Sequence, residues 1–292
     1  MEYWYTTAMI LKKVLEISRP RFWLYLAGPY LIGLAAAAQS TADLTGFWVW
    51  SFLLYFLFPA NLFVYGINDI YDYETDKLNP KKSHYETLVT PDMQARLANW
   101  ILITNVPFWI LAFGFPLRHI LAMLGFILFG MFYSATPVRA KTKPLLDSAF
   151  NILYLFPGWF SFYLAGGRGF NWHIFLAGTL WVMAMHAFSA IPDIQADTKA
   201  GLRTIATYLG STGTLIFCAL CYVGAALLAV PYLHTLALIL GSLYVLMITI
   251  AFLGKTKTWV FRTYTWFPFV NAILGFSIFV YITLDKIKVI GY

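Results

Sequence analysis

Long apolar runs, broken by short polar segments, fill this chain from one end to the other. Nine stand out, at roughly 20–39, 46–67, 97–115, 117–134, 146–167, 172–191, 212–230, 232–253 and 264–284. Each is close to the ~20 residues a helix needs to cross a hydrocarbon layer. Helix is required because backbone groups without partners cannot face lipid. Phe115-Pro116 and Val230-Pro231 mark turns between runs. The pattern predicts an all-α fold: one membrane domain over residues 1–292, a multi-pass helical bundle with nine transmembrane helices. Met1 to Ile17 mixes aromatics with Glu2, Lys12, Lys13 and Glu16 and has no small-residue cleavage site. It reads as a short interfacial helix over 1–17 rather than a cleaved signal.

Composition agrees. The 292 residues are 60% hydrophobic and 11% charged, where soluble domains carry about 25% charge. Nine spans put the N-terminus and alternate loops on one side, with Lys12, Lys13, Arg19, Arg21, Lys77, Lys81, Lys82, Arg96, Arg139, Lys141, Lys143, Lys199, Arg203, Lys255, Lys257 and Arg262. The other side holds Arg118, Arg168, Lys286 and Lys288. Basic residues collect in cytoplasmic loops, so the first side is expected to be cytoplasmic. The net charge of +7 is then a matter of topology and calls for no nucleic-acid partner. Cys218 and Cys221 lie three apart in an apolar run, which predicts packing on one helix face rather than a disulfide.

Six of the thirteen acidic residues fall between Asp69 and Asp92, just after the second run. On a continuous helix, Asn68, Asp69, Asp72 and Asp76 share about a 100° arc, with Asn61 and Tyr65 extending the stripe. Asp193 and Asp197 follow the sixth run at i and i+4, and His186 and Ser189 lie on the same face unless Pro192 kinks the helix. Both runs descend in the same direction, so the two acidic groups meet the same rim. Like charges at this spacing repel, and aspartate inside a membrane is costly and rarely idle. Divalent cations are the natural counter-charge. Hard oxygen donors with spare coordination positions suggest Mg²⁺ carrying a phosphorylated substrate.

The same rim supplies cations. Arg139 and Lys141 follow the fourth run, and Lys199 and Arg203 follow the sixth; they are candidates to clamp diphosphate oxygens. Tyr133 is a candidate pocket residue. Aromatics make up 19% of the chain, and π faces can stabilise a cation. His84, His119, His173 and His234 show no ligand spacing, and His186 is the one histidine on a motif helix.

At these residues the sequence resembles the UbiA superfamily of intramembrane prenyltransferases. Asn68, Asp69, Asp72 and Asp76 match the first family motif, Asn-Asp-x-x-Asp-x-x-x-Asp, and Asp193 and Asp197 match the second, Asp-x-x-x-Asp. Tyr133-Ser134-x-x-Pro137-x-Arg139-x-Lys141 and Gly201-Leu202-Arg203-Thr204 are also similar. The resemblance implies nine helices around a central cavity open sideways to lipid. It implies Mg²⁺ bridging both motifs to a prenyl diphosphate, with Asn68, Asp72, Asp76, Asp193 and Asp197 as ligands and Asp69 as ligand or support. One loop departs from the pattern: Asn79-Pro80-Lys81-Lys82 is not followed by the Arg-Pro-Leu-x-x-Gly stretch of many members. The run His186–Ile194 is similar to members that elongate lycopene or related carotenoids. The expected activity is transfer of a prenyl group from an allylic diphosphate to a lipophilic acceptor, an aromatic ring or a polyene, within the membrane. A cation-coupled transporter is the alternative from another class, although its carboxylates would sit nearer the bilayer centre.

Overall fold

The computed structural model describes residues 7–77, 82, 86–254 and 257–290, all helices, turns and loops. The helices are α1 (Thr7–Ile17), α2 (Leu24–Ala37), α3 (Ala42–Thr45), α4 (Phe47–Leu57), α5 (Pro59–Tyr71), α6 (Tyr73–Asp76), α7 (Pro91–Ala112), α8 (Leu117–Ser134), α9 (Leu146–Ala149), α10 (Phe156–Leu164), α11 (Trp172–Ala190), α12 (Ile194–Lys199), α13 (Ile205–Leu233), α14 (Thr235–Leu253) and α15 (Lys257–Ile290). Short 3₁₀ turns at Pro20–Phe22, Ala140–Thr142, Phe150–Leu155 and Ile191–Asp193 join several of them. Residues 78–81 and 83–85, with Lys81 and His84, lie outside the described residues, as do Lys255 and residues 1–6 of the expected interfacial helix.

Seven helical stretches among the described residues are long and apolar enough to cross a membrane: 47–71, 91–112, 117–134, 172–199, 205–233, 235–253 and 259–286. The protein is an integral, multi-pass membrane protein, but the expected count of nine is not confirmed. The first expected span is α-helical only over the 14 residues of α2, because Pro20 opens a 3₁₀ turn after Arg19 in the left-handed region (φ 52°). The fifth is divided into α9, a 3₁₀ segment and α10, with Pro157 in the first turn of α10.

Neighbouring helices close a ring. α2 packs on α4 and α10, α5 on α7 and α8, α8 on α10, α11 on α13, α13 on α14, and α15 on both α14 and α2, while the 3₁₀ segment Phe150–Leu155 packs on both α8 and α11. Lipid is as apolar as the helix faces, so close approach and interhelical hydrogen bonds hold such a ring together. Gly33 and Gly158 let α2 and α10 touch: a Cβ on Gly33 would sit 1.9 Å from the Gly158 carbonyl oxygen. Ser161 Oγ donates to the Tyr30 carbonyl at 2.6 Å, and Tyr30 donates to the Val49 carbonyl at 2.7 Å. Between α4 and α5, Phe58 (φ −119°, ψ −65°) kinks the chain and Pro59 supplies no N–H. Asn61 Nδ2 donates to the carbonyls of Phe56 and Leu57 at 2.9 and 3.0 Å, satisfying groups the kink leaves open.

The two sides of the ring differ. Phe52, Tyr55, Phe56, Phe63, Phe126 and Phe160 are at most 1% exposed and fill the side formed by α4, α5, α8 and α10. Their rings meet edge-on or tilted, as at Phe52–Phe160 (4.5 Å) and Tyr55–Phe56 (4.8 Å), the geometry aromatic quadrupoles favour. The other side encloses a cavity of about 1120 Å³ bounded by α2, α10, α11, α13, α14 and α15. The expected cavity is therefore present but confined to one part of the ring, because aromatic side chains occupy the rest. Cys218 and Cys221 are free and buried, as their spacing predicts.

Candidate active site

The first acidic motif does not ride one unbroken helix. α5 ends at Tyr71, Asp72 takes φ −111° and ψ 4°, and α6 begins at Tyr73. The Asp72 carbonyl accepts from the N–H groups of Thr75 and Asp76 at 2.9 and 2.8 Å and so starts the new turn. This break divides the expected stripe into two directions. Asp69, 2% exposed, faces the N-terminal segment and accepts from Arg19 Nη2 at 2.9 Å and Lys82 Nζ at 2.7 Å. Lys82 also reaches Asp76 Oδ2 at 2.9 Å. Burial pushes the Asp76 carboxyl up to about 6, against the opposing pull of Lys82. Arg19 lies 4.7 Å over the Tyr65 ring and 3.0 Å from Glu86.

Asp72 faces the other way. It is 3% exposed, its Oδ2 is paired with Lys141 Nζ, and its Oδ1 is buried without a hydrogen-bond partner. Asn68 Nδ2 donates to Ser134 Oγ at 3.0 Å, tying the motif to the end of α8. Lys141 is 9% exposed, on the 3₁₀ turn that follows Arg139 in the left-handed region (φ 44°). The Arg139 Nε is buried without a partner.

The second motif is bent as well. Pro192 sits in a 3₁₀ turn between α11 and α12, which puts Asp193 at the start of α12 and Asp197 one turn on. Both are half-buried, while Lys199 and Arg203 are exposed. Tyr133 lies within electrostatic reach of Asp72, Asp147 and Asp197 together. Asp72 of the first motif and Asp197 of the second are thus both near Tyr133 at the end of α8. Lys141 pairs with Asp72, whereas Lys199 and Arg203 are exposed.

Sequence reasoning missed three residues here. In the sequence Arg19 and Lys82 read only as loop charges, and nothing in the spacing pairs them with Asp69. Asp147 is fully buried and accepts from the Ile205 and Ser148 N–H groups at 2.6 and 2.8 Å. An acid at the head of an apolar run was the available signal for it.

Among the described residues, no three acids or imidazoles are gathered tightly enough to cage a metal by themselves. Lysine and arginine hold Asp69, Asp72 and Asp76 instead. The donor set nevertheless fits Mg²⁺: every candidate ligand offers oxygen, and Asp72 Oδ1 is a buried acceptor lacking a partner. Mg²⁺ also keeps waters and phosphate oxygens in its shell and needs no closed protein cage.

The family model described as the UbiA prenyltransferase family matches residues 26–283. A lycopene elongase/hydratase of Haloferax volcanii is 39% identical over 90% of this chain and 85% of its own. A lycopene elongase/hydratase of Haloarcula japonica is 35% identical over 91% and 89%. Among solved structures, a UbiA homolog from Archaeoglobus fulgidus bound to GPP and Mg²⁺ superposes with a TM-score of 0.68 at 20% identity, covering 96% of this chain and 100% of that one.

Proposed function

The chain belongs to the UbiA prenyltransferase family, and from that premise we propose that it transfers a prenyl group from an allylic diphosphate to a polyene acceptor of the carotenoid type, using Mg²⁺ at a cytoplasmic rim. One observation carries the reading: Asp72 and Asp197, one from each aspartate motif, lie within electrostatic reach of Tyr133, Lys141 pairs with Asp72, and the same ring encloses a large apolar cavity. Family membership decides against the transporter. The two lycopene elongase/hydratase relatives support a polyene over an aromatic acceptor, and the cavity exceeds the ~300–1,000 Å³ usual for small ligands. The distribution of basic loop residues supports the orientation.

Asn68, Asp72, Asp76, Asp193 and Asp197 would hold Mg²⁺, with Asp69 bracing the first motif through Arg19 and Lys82. The metal, when bound, offsets charge growing on the leaving diphosphate. Lys141 orients the diphosphate and shares that charge. Arg139, whose Nε is without a partner, is the second cation of the same turn. Tyr133 closes the inner wall. The aromatic and aliphatic lining keeps water from the allylic cation while the acceptor double bond attacks C1.

The test is direct. Purified protein in detergent with Mg²⁺, a set of labelled allylic diphosphates and lycopene should release diphosphate and yield a product heavier by a prenyl unit. Chelation should abolish both. Asp72→Ala and Asp193→Ala should cut transfer by about 10²-fold or more while still inserting. Wild-type rates in either variant would remove the assigned roles, and transfer to aromatic acceptors alone would overturn the polyene reading.

A further inference from the structure

Transfer to a polyene leaves a proton to be taken up, and His186 is placed for it. The residue sits on α11, about one helical turn before the 3₁₀ turn Ile191–Asp193 that opens the second motif. It therefore lies on the membrane side of the acidic rim. Its side chain is 15% exposed, with Nε2 3.9 Å from Asp147 Oδ2. Its ring meets the Tyr133 ring edge-on at 5.8 Å and 82°. Lys141, the partner of Asp72, lies within electrostatic reach. Asp147 cannot swing away, because the Ile205 and Ser148 N–H groups hold both of its oxygens. With Nε2 turned toward Asp147, the other ring nitrogen, Nδ1, has no hydrogen-bond partner among the described residues.

We propose that His186 is the proton acceptor of the transfer, with Asp147 as the residue that positions it; the inference rests on the polyene reading above. The C1–O bond breaks and its electron pair leaves with the diphosphate. The acceptor's π pair forms the new C–C bond to C1, and positive charge appears on the neighbouring acceptor carbon. That cation is quenched in one of two ways: an adjacent C–H pair becomes a new double bond, or a water oxygen adds to give an alcohol. Either route releases one proton. Nδ1 takes it, and the fixed carboxylate of Asp147 faces the resulting imidazolium. A neutral imidazole is suited to this work because one ring nitrogen carries its hydrogen while the other offers a lone pair to an incoming proton.

His186→Gln keeps the size of the side chain and removes the base. Diphosphate release should persist within a few-fold, while prenylated polyene formed per diphosphate released falls about 10²-fold and prenyl alcohol makes up the difference. Imidazole added to His186→Ala should restore product. The product's mass distinguishes the two quenching routes, since the alcohol is heavier by one water. Unchanged product per diphosphate in His186→Gln would overturn the inference and leave the function standing. So would an equal loss of diphosphate release and product with no imidazole rescue, the signature of a structural role. A wild-type chain that prenylates no polyene would fail the function first, and the inference with it.

Discussion

Asp69 and Asp72 are three residues apart in the same motif, yet they do different work. Asp69 is held by two cations, Arg19 and Lys82. Its charge is spent on fastening the N-terminal segment to α5. Arg19→Ala should therefore destabilise the fold by roughly 1–3 kcal/mol, since a buried acceptor loses a charged donor, and thermal unfolding in detergent would register it. Asp72 keeps one oxygen without a partner and meets a single lysine, an arrangement open to metal and diphosphate. Lys141→Ala should raise the KM for prenyl diphosphate by about tenfold or more, as befits a lost charge-assisted contact. Lys199→Ala, at an exposed position, should change it by less than about threefold. Steady-state kinetics with varied diphosphate separates the two. The acids and the rim lysines were legible as residue types, but which cation meets which acid was not.

Helix irregularity is what aims these side chains. Straight helices would align each motif in a stripe; instead the chain breaks at Phe58, Asp72 and Pro192. Proline announced two of the breaks. The one at Asp72 had no such mark, since no proline or glycine stands beside it, and it decides which acid faces Lys141. Asn61 repairs the Phe58 kink, so Asn61→Leu should expose two unsatisfied carbonyls to an apolar interior and cost roughly 1–3 kcal/mol, seen as a lowered Tm. Gly33→Leu should do more damage, because its Cβ would meet backbone rather than a movable side chain. The expected result is separation of α2 from α10 and loss of folded protein by size-exclusion chromatography.

The ring is filled unevenly, and this governs what it can hold. Aromatic packing seals the part near Phe52 and Phe160, while the part bounded by α11, α13 and α14 stays open. Two glycines help to keep it so. Gly28 and Gly275 line the cavity, and a Cβ at either would meet nothing within 4 Å. Gly275→Phe should narrow the bore, raise the KM for long polyenes by about tenfold through lost apolar contact, and leave diphosphate ionisation with short donors unchanged. Competition between acceptors of different length would show it.

Membrane residence, the all-helical class and the two acidic clusters were set by sequence alone, because lipid imposes a period and length on apolar runs and makes every retained carboxylate conspicuous. The number of full spans, the location of the cavity and the meeting of Asp147 with His186 were decided only in three dimensions. Those depend on how helices from distant parts of the chain close a ring, and on which side chains then fill it. Apolar runs look alike whether they cross the bilayer straight, break into short turns, or pack one wall and leave another bare.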